Sequence, residues 1–304
     1  MAPVFSFVPF GSRPSPSTSG PVISCDGLVE GAELHLSHWE GNRTTPEWKA
    51  DTSTEMAIRY ALSGAPIGLV TNNHFDADGV LSVLALLEPS LAASWSSRMI
   101  GAAEAGDFDA WPENADGLKL ALAIDALSEG REEGEAYAHV LPMLPELITN
   151  LGSREAFYAE AFEALLEQDR RAASELAVSS RGGIVVFQGA EEPPGPVLDK
   201  RTPKGATRRL IAVDRGRGEH DYLYERPRHA WAETVARPKL AKPRSAELVR
   251  ALGAPFSVQA ASGMTSIFGT TKPAAIRPEA LAERLLELDE GARAEVSSSG
   301  RDPF

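Results

Sequence analysis

The chemistry in this chain concentrates between Pro66 and Glu88, PIGLVTNNHFDADGVLSVLALLE. His74, Asp76 and Asp78 stand at alternate positions there. Alternate residues of an extended loop can turn towards one point, so two carboxylates and an imidazole can share a divalent cation. Oxygen ligands suit Mg2+ or Mn2+, and a neutral imidazole moves the preference towards Mn, Fe or Zn. Asn73 and Ser82 are the adjacent candidates for substrate contact. Ser82 falls in the first turn of the expected helix, where free N–H groups suit an anion. An architectural reading competes with this one, because aspartate is a good helix N-cap. One Asp satisfies that need; two Asp and a His exceed it.

These residues need elements to hold them. Ile67–Val70 reads as a short buried parallel strand, Thr71–Gly79 as a polar turn, and Val80–Leu87 as a buried helix. Strand, loop and helix make half of a βαβ unit, and open α/β sheets collect ligands at the carboxyl ends of their strands. The expected fold is α/β, with a Rossmann-like, helix-rich domain over residues 22–180 and a smaller α+β domain over 181–290. A loosely ordered segment, 1–21, precedes them, in which Val4–Phe10 can pack as an edge. A disordered tail, 291–304, follows. Val22–Cys25 is a further strand. Thr52 and Glu55 form a capping box that starts a helix over Ser53–Leu62. Pro89 breaks the chain, and helices follow over Leu91–Ala105, Gly117–Ala126, Gly134–Leu151 and Arg154–Ala177. Asp125 lies in the second of these, or else ends a strand. Later strands are expected at Ile184–Phe187, Arg209–Asp214, Asp221–Glu225 and Phe256–Ala260, with Gln188–Gly205 as a loop. Helices are expected at Ala246–Leu252 and Pro278–Leu288.

The stretch HFDADGVLS, His74 to Ser82, resembles the first motif of the DHH phosphoesterases, His-x-Asp-x-Asp-Gly-x-x-Ser. The match covers this stretch and its strand–helix context. The resemblance implies a Rossmann-like domain that binds manganese and hydrolyses phosphoester or phosphodiester bonds. It assigns His74, Asp76 and Asp78 as metal ligands. It also points to Asp107, after the small-residue run AAEAGD, as a further ligand, although a turn Asp behind a helix-ending Gly has the same look. That family's Asp-His-His triplet is absent, as is its C-terminal Gly-Gly-His. The shorter stretch FDADGVL also resembles the Asp-x-Asp-Gly motif of haloacid dehalogenase-type phosphatases. There Asp76 is the nucleophile and Asp78 the general acid/base. That family's strand runs directly into the first Asp, whereas Thr71–His74 intervene here.

Other candidates are scattered. The segment Leu34–Glu55 is dense in polar and aromatic groups, and His38 and Arg43 within it suit a phosphate or a ligand role. A surface loop stapled by Trp39 and Trp48 is the plainer reading. Arg226 and His229 belong to a cationic segment, Arg208 to Arg244, that suits an anion or a solvated face. Ser262 and Gly263 begin a Gly/Ser/Thr loop whose N–H groups can cradle phosphate.

Composition sets outer limits. With 304 residues and 43% hydrophobic content, the chain can bury a core for one or two domains. A net charge of −13 argues against a duplex nucleic-acid footprint. The single cysteine, Cys25, allows no intrachain disulfide and suits a reducing cytoplasm. No secretory signal or membrane span is visible. The expected function is a metal-dependent phosphohydrolase or phosphodiesterase with Mn2+ or Mg2+, acting on a small phosphorylated or nucleotide substrate, with a homodimer left open. Two alternatives stand beside it. One is a catalytically inactive nucleotide- or partner-binding protein. The other is a haloacid dehalogenase-like Mg2+ phosphatase.

Overall fold

The computed structural model describes residues 3–16, 20–258 and 265–293. The fold is mixed α/β, and the chain divides into two compact units. Unit 1 runs to Asp169 and takes back two later segments, Gly195–Lys200 and Arg228–Lys239. Unit 2 is the remainder.

Unit 1 is built on four parallel strands: β1 (Val4–Phe7), β2 (Val22–Cys25), β3 (Leu34–Leu36) and, after helix α1 (Ser53–Leu62), β4 (Leu69–Asn72). Their order is β1-β4-β2-β3. Every residue of β2 is buried, as expected of a parallel strand covered on both faces. Helix α2 (Ala77–Leu87) is buried from Ala77 to Leu86, which explains why its sequence is apolar all round. Helices α3 (Pro89–Phe108) and α4 (Ala115–Ser128) follow. They approach closely, since a Cβ on Gly117 would lie 2.7 Å from the Gly101 carbonyl carbon. Helices α5 (Glu133–Val140) and α6 (Leu144–Thr149) are separated by a short 3-10 turn. Helix α7 (Ala159–Glu175) carries the chain on.

Unit 2 is a six-stranded mixed sheet. Strands β5 (Ala177–Arg181) and β6 (Ile184–Gly189) form a hairpin; the chain then passes through helix α8 (Gly195–Arg201), which belongs to unit 1 up to Lys200, before β7 (Arg208–Asp214) and β8 (His220–Glu225). Helix α9 (Ser245–Leu252), β9 (Phe256–Ser257), β10 (Ser266–Thr270) and helix α10 (Pro278–Leu288) complete it. Only the β6–β7 pairing is parallel among those described. Arg208 is fully buried, and its Nε donates to Asp289 Oδ2 at 2.8 Å. The Tyr224 hydroxyl donates to the same oxygen. A buried guanidinium is tolerated only with such partners.

Several expectations are corrected. The central strand lies two residues later than Ile67–Val70, and α2 starts three residues before Val80. Pro89 starts α3 instead of interrupting the chain, because the first helical position needs no N–H. The helix expected over Gly134–Leu151 is broken where Pro142 and Pro145 remove donors. The expected loop 188–205 contains α8, and the polar segment after Leu34 begins with β3. The edge expected within Val4–Phe10 is strand β1, paired along β4 at one end of the sheet. No helix of the described residues is long and apolar enough to cross a membrane.

Candidate metal centre

Three strand ends deliver the site. Asp26 directly follows β2 and takes a left-handed φ of 54°, which aspartate tolerates better than most residues. His38 lies two residues after β3. His74 and Asp76 lie in the loop after β4, and Asp78 lies in the first turn of α2. The strands are parallel, so these ends share one edge of the sheet. Asp107 arrives from the last turn of α3.

Asp26, His38, Asp78 and Asp107 each offer one ligand atom, and these atoms lie within 4.8 Å of one another. All four residues are buried. A second set, Asp26, His74 and Asp76, meets the same limit and shares Asp26. His38 Nδ1 lies 2.7 Å from the Asp51 carbonyl oxygen. A carbonyl only accepts, so Nδ1 carries a proton and donates it. Nε2 then faces Asp107 Oδ2 at 3.1 Å and Asp26 Oδ1 at 3.6 Å. His38 Nε2, Asp26 Oδ2 and Asp107 Oδ2 are buried without a hydrogen-bond partner. Buried polar atoms are rarely left so, and three together call for an ion or water.

The other oxygens are engaged by the scaffold. Asp26 Oδ1 accepts from Ser53 Oγ at 3.0 Å and Trp39 Nε1 at 3.2 Å. Asp78 accepts from Ser53 N at 2.7 Å and Thr54 N at 2.6 Å, the free N–H groups that open α1. Asp76 caps α2 by accepting from Gly79 N at 2.7 Å. Its other oxygen accepts from His74 Nε2 at 3.0 Å. Behind the loops, Asn72 Oδ1 accepts from Gly27 N, Asn73 N and His74 N. Asn72 Nδ2 donates to the Tyr137 hydroxyl, which donates to the His74 carbonyl. Gly79 is required here, because a Cβ would lie 2.7 Å from Asn72 Nδ2.

Electrostatics point the same way. Burial, then the charges of Asp76 and Asp78, push the Asp26 carboxyl up to about 8. Burial and the Asp76 charge hold Asp107 well above the usual carboxylate range. Burial opposes charge on His38, but contact with Asp107 and the charges of Asp78 and Asp26 outweigh it and push it up to about 10. His74 is raised to about 9, chiefly by its bond to Asp76. Burial disfavours ionised Asp76, yet His74 and Gly79 N hold it below the usual range. Four carboxylates against two imidazoles leave a deficit of positive charge, which a bound cation would fill.

The structure brings together His74, Asp76, Asp78, Asp107 and His38 from the residues singled out above. Asp26 is a ligand residue outside that set; its signal in the sequence is an apolar strand, Val22–Cys25, running directly into Asp-Gly. Ser82 is corrected: it lies in the second turn of α2, and its hydroxyl donates to the Gly79 carbonyl at 2.8 Å. Asn73 Nδ2 donates to the Leu28 carbonyl, so it ties two loops together. Arg43 donates to the Ala32 carbonyl at 2.6 Å and faces His35, so it braces β3. Asp125 is exposed on α4, in neither carboxylate set. His229 stands half-buried on the turn Arg228–Trp231, and Arg226 is buried in unit 2. Ser262 and Gly263 lie outside the described residues.

Fold and site together define an α/β protein with an Asp/His cluster at the carboxyl edge of a parallel sheet. Residues 3–255 match the model of DUF6687, a family of unknown function, and the chain belongs to that family. A comparison with curated proteins finds no match.

Proposed function

We propose that this chain is a metal-dependent phosphohydrolase or phosphodiesterase that takes a small phosphorylated or nucleotide substrate, with Mn2+ or Mg2+ as cofactor. One observation carries the reading: Asp26 Oδ2, His38 Nε2 and Asp107 Oδ2 converge in a buried acidic cluster, without a hydrogen bond from the scaffold around them. The donor set fits a divalent cation, being mostly carboxylate oxygen with imidazole beside it. The DHH-like motif supports the reaction class. His38 and Asp26 supply ligand atoms in a chain that lacks the Asp-His-His triplet.

Asp26, His38, Asp78 and Asp107 would hold one cation; Asp26, His74 and Asp76 offer an adjoining position. A divalent cation supplies Lewis-acid charge at a phosphoryl oxygen and lowers the pKa of water. His74 is the most exposed imidazole of the centre, with its ring set between Asp76 and Glu133. Its Nε2 donates to Asp76, so it is the group that can hold or release a proton there. The haloacid dehalogenase-like reading has less support, because Asp78 is fully buried and accepts two main-chain N–H groups. That same engagement favours the second reading, a protein that binds a nucleotide or a partner without turnover.

Elemental analysis of wild type and Asp107→Ala, with Mn2+-supplemented hydrolysis of bis-p-nitrophenyl phosphate, tests the proposal. Stoichiometric metal and turnover in the wild type, both lost in the variant, are expected. Metal without turnover on this and short oligonucleotide substrates would favour the binding reading. A wild type that takes up no Mn2+, Fe or Zn and shows no turnover would end the metal-dependent reading and leave the nucleotide- or partner-binding one.

A further inference from the structure

We infer that Asp51 is the positioning residue of this centre, joining His38 to a strap formed by residues 228–239; the inference rests on the metal reading above. Beyond the acids that face its Nε2 and the Phe108 ring, three contacts on His38 come from Asp51 or the strap. The Asp51 carbonyl accepts from Nδ1 at 2.7 Å. Glu233 N donates to the His38 carbonyl at 2.7 Å. The Trp231 ring meets the imidazole edge-on, with centroids 4.9 Å apart. The strap also reaches a second ligand residue, since Trp231 Nε1 donates to the Asp107 carbonyl at 3.4 Å.

The Asp51 carboxylate is what fastens the strap. Oδ1 accepts from Val235 N and Ala236 N, each at 2.7 Å. Oδ2 accepts from Arg237 N at 3.2 Å and from the Arg237 guanidinium at 2.9 Å. Arg237 also pairs with Glu104 on α3 at 2.9 Å and lies over the Phe108 ring. One residue therefore works on both sides. Its main chain sets the His38 tautomer that leaves Nε2 facing the acids, and its side chain seats the segment that packs on that ring. Outer contacts of this kind fix ligand orientation, and their loss typically weakens metal binding 10- to 100-fold. The ligand atoms are buried, so the strap must also give way when metal enters or leaves.

The test uses the full chain, with Mn2+ alone as the probe. Mn2+ affinity by chelator competition, the melting temperature of the apo protein, and hydrogen exchange of residues 228–239 would be compared for wild type, Asp51→Asn and Arg237→Gln. In the wild type, Mn2+ should slow exchange in the strap, although none of its residues is in either ligand set. Both variants should bind Mn2+ about tenfold or more weakly and lose that slowing, with apo melting close to wild type. If Asp51→Asn fails to fold, Arg237→Gln carries the same comparison, because it leaves the carboxylate and its main-chain donors in place. Unchanged Mn2+ affinity, or weakening matched by an equal loss of apo stability, would overturn the positioning role. Absence of Mn2+ binding in the wild type would instead overturn the metal reading itself, and this inference with it.

Discussion

Replacing Asp26 with asparagine should stabilise the apo protein while removing its metal. The Asp26 carboxyl is held near 8, against about 3.9 for a free aspartate. Between those values the folded state keeps a proton that the unfolded state has released. Stability therefore falls as pH rises across that window, by about 1.4 kcal/mol per pH unit for one such group. At pH 7 the penalty reaches about 4 kcal/mol as an upper figure, and relaxation of the surrounding charges reduces it to about 1–3 kcal/mol. Asparagine never incurs it. Its carbonyl oxygen can still accept from Ser53 and Trp39, its amide can donate towards Asp107, and it tolerates the left-handed backbone at this position. His38 and His74, both raised, act with the same sign; what they contribute is complete below about 6.5 and is lost as pH rises through about 9 to 10. Thermal melts of apo wild type and Asp26→Asn at pH 5 and pH 8 are the assay. The variant should melt higher at pH 8 by about 3–10 °C and show a smaller gap at pH 5. Saturating Mn2+ should raise the wild type at pH 8 and leave the variant unmoved. A wild type whose apo melting temperature is flat or rises from pH 5 to pH 8, or a variant less stable at pH 8, would refute the reasoning.

Asp78→Ala strips two acceptors from the start of α1 and should cost about 2–4 kcal/mol in urea unfolding, even without metal; a loss under about 1 kcal/mol would argue against the architectural half of that residue's role. Gly117→Ala drives a methyl into the Gly101 backbone and should cost about 1–3 kcal/mol, whereas Gly101→Ala, whose nearest neighbour is a Pro112 side-chain atom at 3.4 Å, should cost clearly less. Asp289→Ala leaves the Arg208 guanidinium buried without its carboxylate and should cost unit 2 about 3–5 kcal/mol. All five tryptophans lie in unit 1, so hydrogen exchange in β7 and β8 should report that loss while tryptophan fluorescence holds.

Much of this protein is written locally. The helix over Ser53–Leu62 starts where Thr52 accepts from Glu55 N, and α10 starts on Pro278. Val22–Cys25 is legible because four adjacent residues that are buried together need little else to define a strand. The two readings of the His-Asp-Asp loop also meet in the same side chains: Asp76 caps α2 and faces His74. These signals act over three or four residues, through N–H groups needing acceptors and apolar faces needing cover, so the sequence alone carries them.

The centre itself is not local. Asp26, His38, Asp78 and Asp107 are far apart in the chain and meet because parallel β2, β3 and β4 end at one edge, with α3 closing over them. Sheet order and crossover packing decide that meeting, and no short motif encodes either. The strap is further still from prediction, since residues 228–239 return to unit 1 only after strands β5 to β8 of unit 2 have been built. Arg43, Asn73 and Ser82 show the converse. Each has the right chemistry for a substrate, but one side-chain donor of each goes to a nearby carbonyl. Residue type and spacing determined which groups could do chemistry; burial and long-range closure decided which of them lack a protein partner, because only the tertiary structure removes water and fixes what replaces it.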